Sequence, residues 1–172
     1  LLQLALDIDD RHAGMHYQLG KCFHAFQHYG KAKDSFVRAK DEDICPLRII
    51  EPMHEAIFLV ANDSSATLVD ARSLFEELTP DGIPGNEWMV DHVHPSIQGH
   101  QKLAARLFDE MVRLGIIKPS GNWTTRREAA YKENFDSLHP LYYYRGQERL
   151  EGLRRWAAGR GNLERPTKVE TE

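Results

Sequence analysis

Thr67-Leu68-Val69-Asp70-Ala71 and, further along, Asp91-His92-Val93-His94-Pro95-Ser96 are the stretches whose reading decides the fold. The run Thr67-Leu68-Val69 is short, β-branched and apolar, and it predicts a buried strand of the parallel kind. Ala71 to Leu78 then reads as a short helix, Thr79-Pro80-Asp81-Gly82 as a turn, and residues 83–90, with Pro84, Gly85 and Trp88, as a loop. After the second stretch a helix is expected from Pro95 or Ser96 to Leu114. Its apolar stripe is Leu103, Leu107, Phe108, Met111 and Leu114. Pro95 suits a first helical turn, and Gly115 supplies the stop.

An imidazole three residues after a carboxylate, just before a helix, makes an acid–base unit. In such a unit the His takes a proton from a nucleophile with one ring nitrogen. The Asp holds the proton on the other nitrogen, which fixes tautomer and orientation. Asp91 and His94 have that spacing, and the short loop between them lets the side chains turn toward each other. The helix N-terminus behind them favours the carboxylate and disfavours an imidazolium. His92 reads as a bystander.

Upstream, residues 12–40 read as two helices. The first carries Met15, Leu19, Cys22, Phe23 and Phe26 at helical spacing, with Gly30 as its end. The second carries Ala32, Phe36 and Ala39. Leu19-Gly20, Phe23, Ala32, Phe36, Ala39 and Pro46 fall at the spacings of the tetratricopeptide repeat, a pattern of about 34 residues. Small Gly20 and Ala32 let two antiparallel helices approach, and Phe23 and Phe36 fill the space between them. Residues 1–10 look like the end of an earlier helix. Leu47 to Ala61 is again helical, with Ile50, Met53, Ile57 and Val60 on one face, and Asn62-Asp63-Ser64-Ser65 breaks it. Beyond Lys118–Asn122, two more helical stretches, about 124–134 and 144–158, precede ten terminal residues that read as disordered.

The block Asp91-x-x-His94-Pro95-Ser96-x-x-Gly99-His100-x-x-Leu103-Ala104 resembles the last conserved block of SGNH (GDSL-type) hydrolases. Thr67-Leu68-Val69-Asp70-Ala71 resembles the final core strand before it. The resemblance implies an α/β fold, the C-terminal fragment of a flavodoxin-like α/β/α sandwich, preceded here by a tetratricopeptide-like helical hairpin. It divides the chain into a helical segment 1–46, the C-terminal part of the hydrolase domain at 47–117, and a polar helical tail at 118–172. It implies that Asp91 is the orienting acid and His94 the general base of a serine esterase or acyltransferase. The substrate is then an ester or acylated molecule, with carbohydrate O-acetyl groups, lipids and small esters all open. A protein partner for the repeat-like helices is also implied, and the resemblance leans toward a bacterial, membrane-anchored or exported parent. The compartment of the chain itself stays open.

The family's nucleophile lies in a Gly-Asp-Ser motif, and its oxyanion Gly and Asn in two middle blocks. None stands upstream of residue 91 in a fitting context. Ala61-Asn62-Asp63-Ser64 is a look-alike, but 30 residues separate Ser64 from His94, and a single βαβ unit takes about 30 residues. Turn is the reading for that segment. The chain opens Leu1-Leu2-Gln3 without Met or signal peptide and reads as a trimmed or partial sequence that is inactive alone. The competing function is a tetratricopeptide-type interaction module with a non-catalytic α/β cap. A third, metal-dependent hydrolysis through His92, His94 and His100, draws on ligand types that suit zinc, but the spacing is loose in a chain with nine histidines. No metal or cofactor is expected.

Other side chains remain double-edged. Arg48 reads as a surface residue or as a contact for an anionic or carbonyl group. Trp88 lines a pocket or closes the core edge. Tyr142-Tyr143-Tyr144 with Arg145 reads as tail-helix packing rather than base stacking, because the net charge of −4 gives no electrostatic footprint for nucleic acid. Hydrophobic content of 41% and charged content of 28% are those of a soluble globular chain. No apolar run approaches the ~20 residues of a membrane span. Cys22 and Cys45 give neither a disulfide framework nor a metal spacing, and Cys22 is expected to be a buried thiol.

Overall fold

The computed structural model describes residues 1–157, so the terminal ten-residue segment lies outside the described residues. Eight helices carry the described chain: α1 (Leu2–Leu6), α2 (Ala13–Ala25), α3 (Tyr29–Asp41), α4 (Glu51–Ser64), α5 (Ala71–Leu78), α6 (Ile97–Arg113), α7 (Trp123–Asp136) and α8 (Pro140–Ala157). The chain divides into two compact units, Leu1–Met111 and Val112–Glu172.

The α/β expectation is therefore wrong: among the described residues there is no strand or sheet. The only β-type pairing described is one isolated antiparallel bridge, Met89 with Pro95. Residues 66–70 run without regular structure and Leu68 is 36% exposed. A strand is defined by a neighbour that takes its backbone N–H and C=O groups. Thr67-Leu68-Val69 has the composition of a strand but no neighbour here. Asp70, expected to end that strand, instead caps α5. Its Oδ1 accepts from the backbone N–H groups of Arg72 at 3.0 Å and Ser73 at 3.1 Å, satisfying two of the orphan donors of the first turn.

In the first unit α2 and α3 form a helical hairpin joined by Phe26, Gln27 and His28, and α1 packs on α2. Gly20 and Ala32 make the close approach. A Cβ at Gly20 would lie 2.7 Å from the Phe36 ring, Ala32 is fully buried, and Tyr17 stacks at 5.7 Å on Phe36. Gly30 does not end the first helix; it lies inside α3. The reversal comes earlier, at Gln27 with φ of 60°. Cys22 is exposed rather than buried, because the hairpin seam uses the Gly20 face of α2.

Helix α4 starts and ends later than expected. Pro52 stands in its first turn, and Ser65, left-handed at φ 54°, closes it. Little of α4 is covered. Met53, Ile57 and Val60, the anticipated apolar stripe, are 57%, 45% and 65% exposed. What ties α4 to the rest is charge. Glu51 receives Arg72 of α5 at 2.8 Å and Lys40 of α3 at 3.0 Å, while Glu76 of α5 receives Lys33 at 2.7 Å and Arg72 at 2.9 Å. Buried apolar side chains are scarce: Ala32 and Phe75 are the two reported as core.

In the second unit α7 and α8 are linked by Ser137–His139, and the Tyr143 hydroxyl donates to the Phe135 carbonyl at 3.3 Å. Arg127 lies 5.0 Å over the Trp123 ring. No helix of the described residues is long and apolar enough to cross a membrane.

Burial pushes the Glu51 and Glu76 carboxyls up, but hydrogen bonds and charge from Arg72, Lys40 and Lys33 outweigh it and hold both below the ordinary 4.5. A carboxyl whose folded pKa is depressed stabilises the fold above its unfolded pKa, and that contribution is lost as pH falls through the folded value. Arg72→Ala is therefore expected to cost about 1–2 kcal/mol at pH 7, scaled down for partial exposure. Urea melts at pH 7 and pH 3 check this: the gap between wild type and variant narrows at pH 3. An equal gap at both pH values would mean that Arg72 acts by packing alone.

Candidate functional site

The segment from Trp88 to Ser96 is a closed loop set between α5 and α6. Trp88 anchors its start. The indole Nε1 donates to the Thr79 hydroxyl at 3.1 Å, the ring sits 6.1 Å from Phe75, and the Thr79 hydroxyl donates to the Phe75 carbonyl at 2.7 Å. Glu87 steadies the approach by accepting from the Gly85 N–H at 3.0 Å. Trp88 thus closes the edge of the small core around Phe75. Thr79 is placed in a turn by the sequence, but its role as the anchor of the Trp88 indole, and that of Glu87 on the Gly85 N–H, come from the structure alone.

Two backbone hydrogen bonds close the loop, from Val90 N–H to the His94 carbonyl at 2.9 Å and from Ser96 N–H to the Trp88 carbonyl at 2.7 Å. Ser96 then caps α6: its hydroxyl accepts from the Gly99 N–H at 3.1 Å, and its carbonyl accepts from His100 at 2.8 Å. Gly99 is required by the contact on the other side. A Cβ there would stand 2.5 Å from the Trp88 carbonyl oxygen and 3.0 Å from Pro95 Cβ. The spacing Pro95-Ser96-x-x-Gly99 is thus a cap followed by a point of close approach, and it lets the first turn of α6 press against the base of the loop.

Within this frame Asp91 and His94 meet. Asp91 Oδ1 accepts from the backbone N–H groups of Val93 and His94, both at 2.8 Å, and Asp91 Oδ2 lies 2.7 Å from His94 Nδ1. The Asx turn made by the first two bonds brings the third into register. The Asp91 side chain is 11% exposed and that of His94 70% exposed. The acid is sheltered and the base is presented to solvent. No side chain among the described residues partners His94 Nε2. Desolvation pushes the Asp91 carboxyl up, but the hydrogen bonds from Val93, His94 and the imidazole, with the imidazole's charge, bring it down from 3.8 to about 2. Asp91 is therefore ionised at every pH where an imidazole titrates, and its contribution to stability is lost only as pH falls toward 2.

The other sequence candidates do not join this pair. The Ser64 hydroxyl, on α4, donates to the Val60 carbonyl at 2.6 Å. It is spent on its own helix and does not approach His94. His92 is exposed and lacks a described partner. No group of three or more His, Cys, Asp or Glu side chains that could hold a metal ion occurs among the described residues, so His92, His94 and His100 do not gather. A cavity of about 760 Å³ lies behind the loop. Asp91, His92 and Val93 line it, with Arg48, Ile49 and residues of α2, α3 and α5.

Two substitutions test the geometry. Asp91→Asn keeps an oxygen for the two backbone donors but turns an amide N–H toward His94 Nδ1. The neutral ring then switches from the Nδ1–H to the Nε2–H tautomer, which imidazole ¹⁵N shifts report; an unchanged tautomer would mean that Asp91 does not orient the ring. Gly99→Ala gains about 1 kcal/mol of helix propensity, yet it is expected to lose about 1–3 kcal/mol net in urea melts, because overpacking against a backbone oxygen outweighs that gain. Searches against protein-family models, curated proteins and solved structures found no match to this chain.

Proposed function

We propose that Asp91 and His94 are the orienting acid and the general base of a serine-type ester hydrolase or acyltransferase whose nucleophile lies outside these 172 residues. The supporting observation is the pairing of His94 Nδ1 with Asp91 Oδ2 at 2.7 Å on an imidazole that is 70% exposed. One ring nitrogen is held by a sheltered carboxylate, and the other faces solvent. In acyl transfer, His94 Nε2 takes the proton of a serine hydroxyl as its oxygen attacks the ester carbonyl. It then returns that proton to the leaving alkoxide, and an acyl-enzyme remains for water or an acceptor alcohol. Asp91 stays ionised throughout and stabilises the transient imidazolium. The resemblance of the 91–104 block to SGNH hydrolases supports the same roles. In this reading the 172-residue chain is the C-terminal portion of the enzyme, with the tetratricopeptide-like hairpin placed before the triad's Asp and His.

A second reading, a helical-repeat interaction module, draws on one observation: every regular element of the described residues is a helix, and the α2–α3 hairpin is packed at the Gly20–Phe36 contact. In it, His94 does no chemistry.

The chain alone is expected to show no saturable turnover of p-nitrophenyl acetate. Expressed together with the coding sequence directly upstream of Leu1, it should react with a fluorophosphonate probe at a serine outside these residues, and His94→Ala should slow that labelling at least about 100-fold. Undiminished labelling in His94→Ala, or an upstream sequence with no Gly-Asp-Ser segment, would favour the interaction module.

A further inference from the structure

The cavity behind the loop has features that the acyl-transfer reading does not use. His94 is not among its lining residues, and its volume of about 760 Å³ falls in the range of small-molecule sites, roughly 300–1,000 Å³. Its walls are largely apolar: Tyr17 and Phe36 from the hairpin, Ile49 from the connection to α4, and Ile83, Met89 and Val93 from the loops.

Seven charged side chains also reach it, and six of them are already matched. Lys33 pairs with Glu76, Lys40 with Glu51, and Arg72 with both glutamates. Asp91 is held by His94. The seventh, Arg48, lines the cavity with no hydrogen bond or ion pair to any described residue, and it is exposed, so the guanidinium stands at the rim. An open, largely apolar groove with one unmatched, permanently charged fork along it suits a ligand with an apolar body and one carboxylate, which a guanidinium binds through two parallel N–H···O bonds. A dianion such as a phosphate monoester would call for a second permanent cation, and among the described residues the other lysines and arginine of the lining are paired, which leaves only the imidazoles of His54 and His92.

We propose that this cavity binds a monocarboxylate on an apolar chain, with Arg48 as its counter-ion. Asp91 borders the groove but His94 does not line it, and ligand binding is read without turnover, so the test stands apart from the esterase assignment.

Calorimetric titration of the 172-residue chain with sodium decanoate, below its micellar concentration, and with 1-decanol tests the inference. Decanoate should bind about five- to tenfold more tightly than the alcohol. Arg48→Gln should remove that preference while leaving decanol binding unchanged, and Arg48→Lys should restore part of it. Ile83→Trp, which fills the groove, should weaken both ligands, with a thermal melt confirming that the variant folds. Equal binding of decanoate and decanol to the wild type would overturn the proposal, as would indifference to Arg48→Gln. Loss of binding in Ile57→Glu but not in Ile83→Trp would also overturn it, by placing the ligand on the exposed stripe of α4.

Discussion

The arrangement of the first unit depends on the two carboxylates that share Arg72. Glu51 of α4 and Glu76 of α5 both bind that guanidinium, and each takes a lysine of α3 as well. Ordinarily a helical domain is held by apolar faces pressed together, and ion pairs decorate its rim. Here the balance differs. Ala32 and Phe75 are the buried apolar side chains among the described residues, and no large side chain is fully buried. Exposed ion pairs stabilise little, but these side chains keep 16–37% of their surface, so water screens them less. A guanidinium that satisfies two carboxylates on different helices also fixes an angle between those helices, which a single contact does not. α4 has little other attachment, and its position follows from Glu51.

From α5 the constraint passes to the loop that carries the Asp91–His94 pair. Glu76 holds α5 to the hairpin, Phe75 and Thr79 on the same helix and its end hold Trp88, and the Trp88 carbonyl holds Ser96. At the far side Gly99 lets α6 lie against that carbonyl. The loop between is short, and the Asx turn of Asp91 brings the His94 imidazole within 2.7 Å of the Asp91 carboxylate. The acid–base geometry is therefore a local property, made by four consecutive residues, set on a scaffold that acts at a distance. Local bonds orient the ring; the scaffold decides which way the whole loop faces.

What was legible in the sequence divides along the same line. Features encoded by near neighbours were readable. The Asp91–His94 pairing needs only a three-residue reach, the Thr79–Gly82 turn needs Gly82 at φ 70°, and the Gly20–Phe36 contact follows from helical spacing. Features that depend on distant partners were not. Thr67-Leu68-Val69 has strand composition, yet composition supplies no hydrogen-bonding neighbour. The cluster of Glu51, Arg72 and Glu76 with Lys33 and Lys40 joins three helices and leaves no periodic trace. Gly30 was misplaced as a stop because a glycine was expected wherever the chain reverses, whereas Gln27 adopts the left-handed conformation at a cost the hairpin packing offsets. Cys22 was read as buried from its helical phase, but it falls off the narrow seam that the hairpin covers.

The uncovered surfaces bear on how His94 should be understood. Met53, Ile57 and Val60 repeat at the spacing of a core-facing stripe, and a stripe of that regularity has a cost in water of about 25 cal/mol for each Å² left exposed. Leu68, in the irregular segment before α5, is likewise 36% exposed. Neither feature resembles the polar exterior of a finished interaction module, where the outer face of a terminal helix is expected to be hydrophilic. Both sit in the same unit as the Asp91–His94 pair. On the proposed function, an imidazole oriented by its carboxylate and an apolar surface left uncovered are the two features that half of a two-part active site requires. The same observations would be surplus in a module whose only task is to present repeat-like helices. On the two-part proposal the exposed stripe of α4 and the solvent-facing His94 imidazole argue in one direction, toward a partner segment that covers the one and reaches the other.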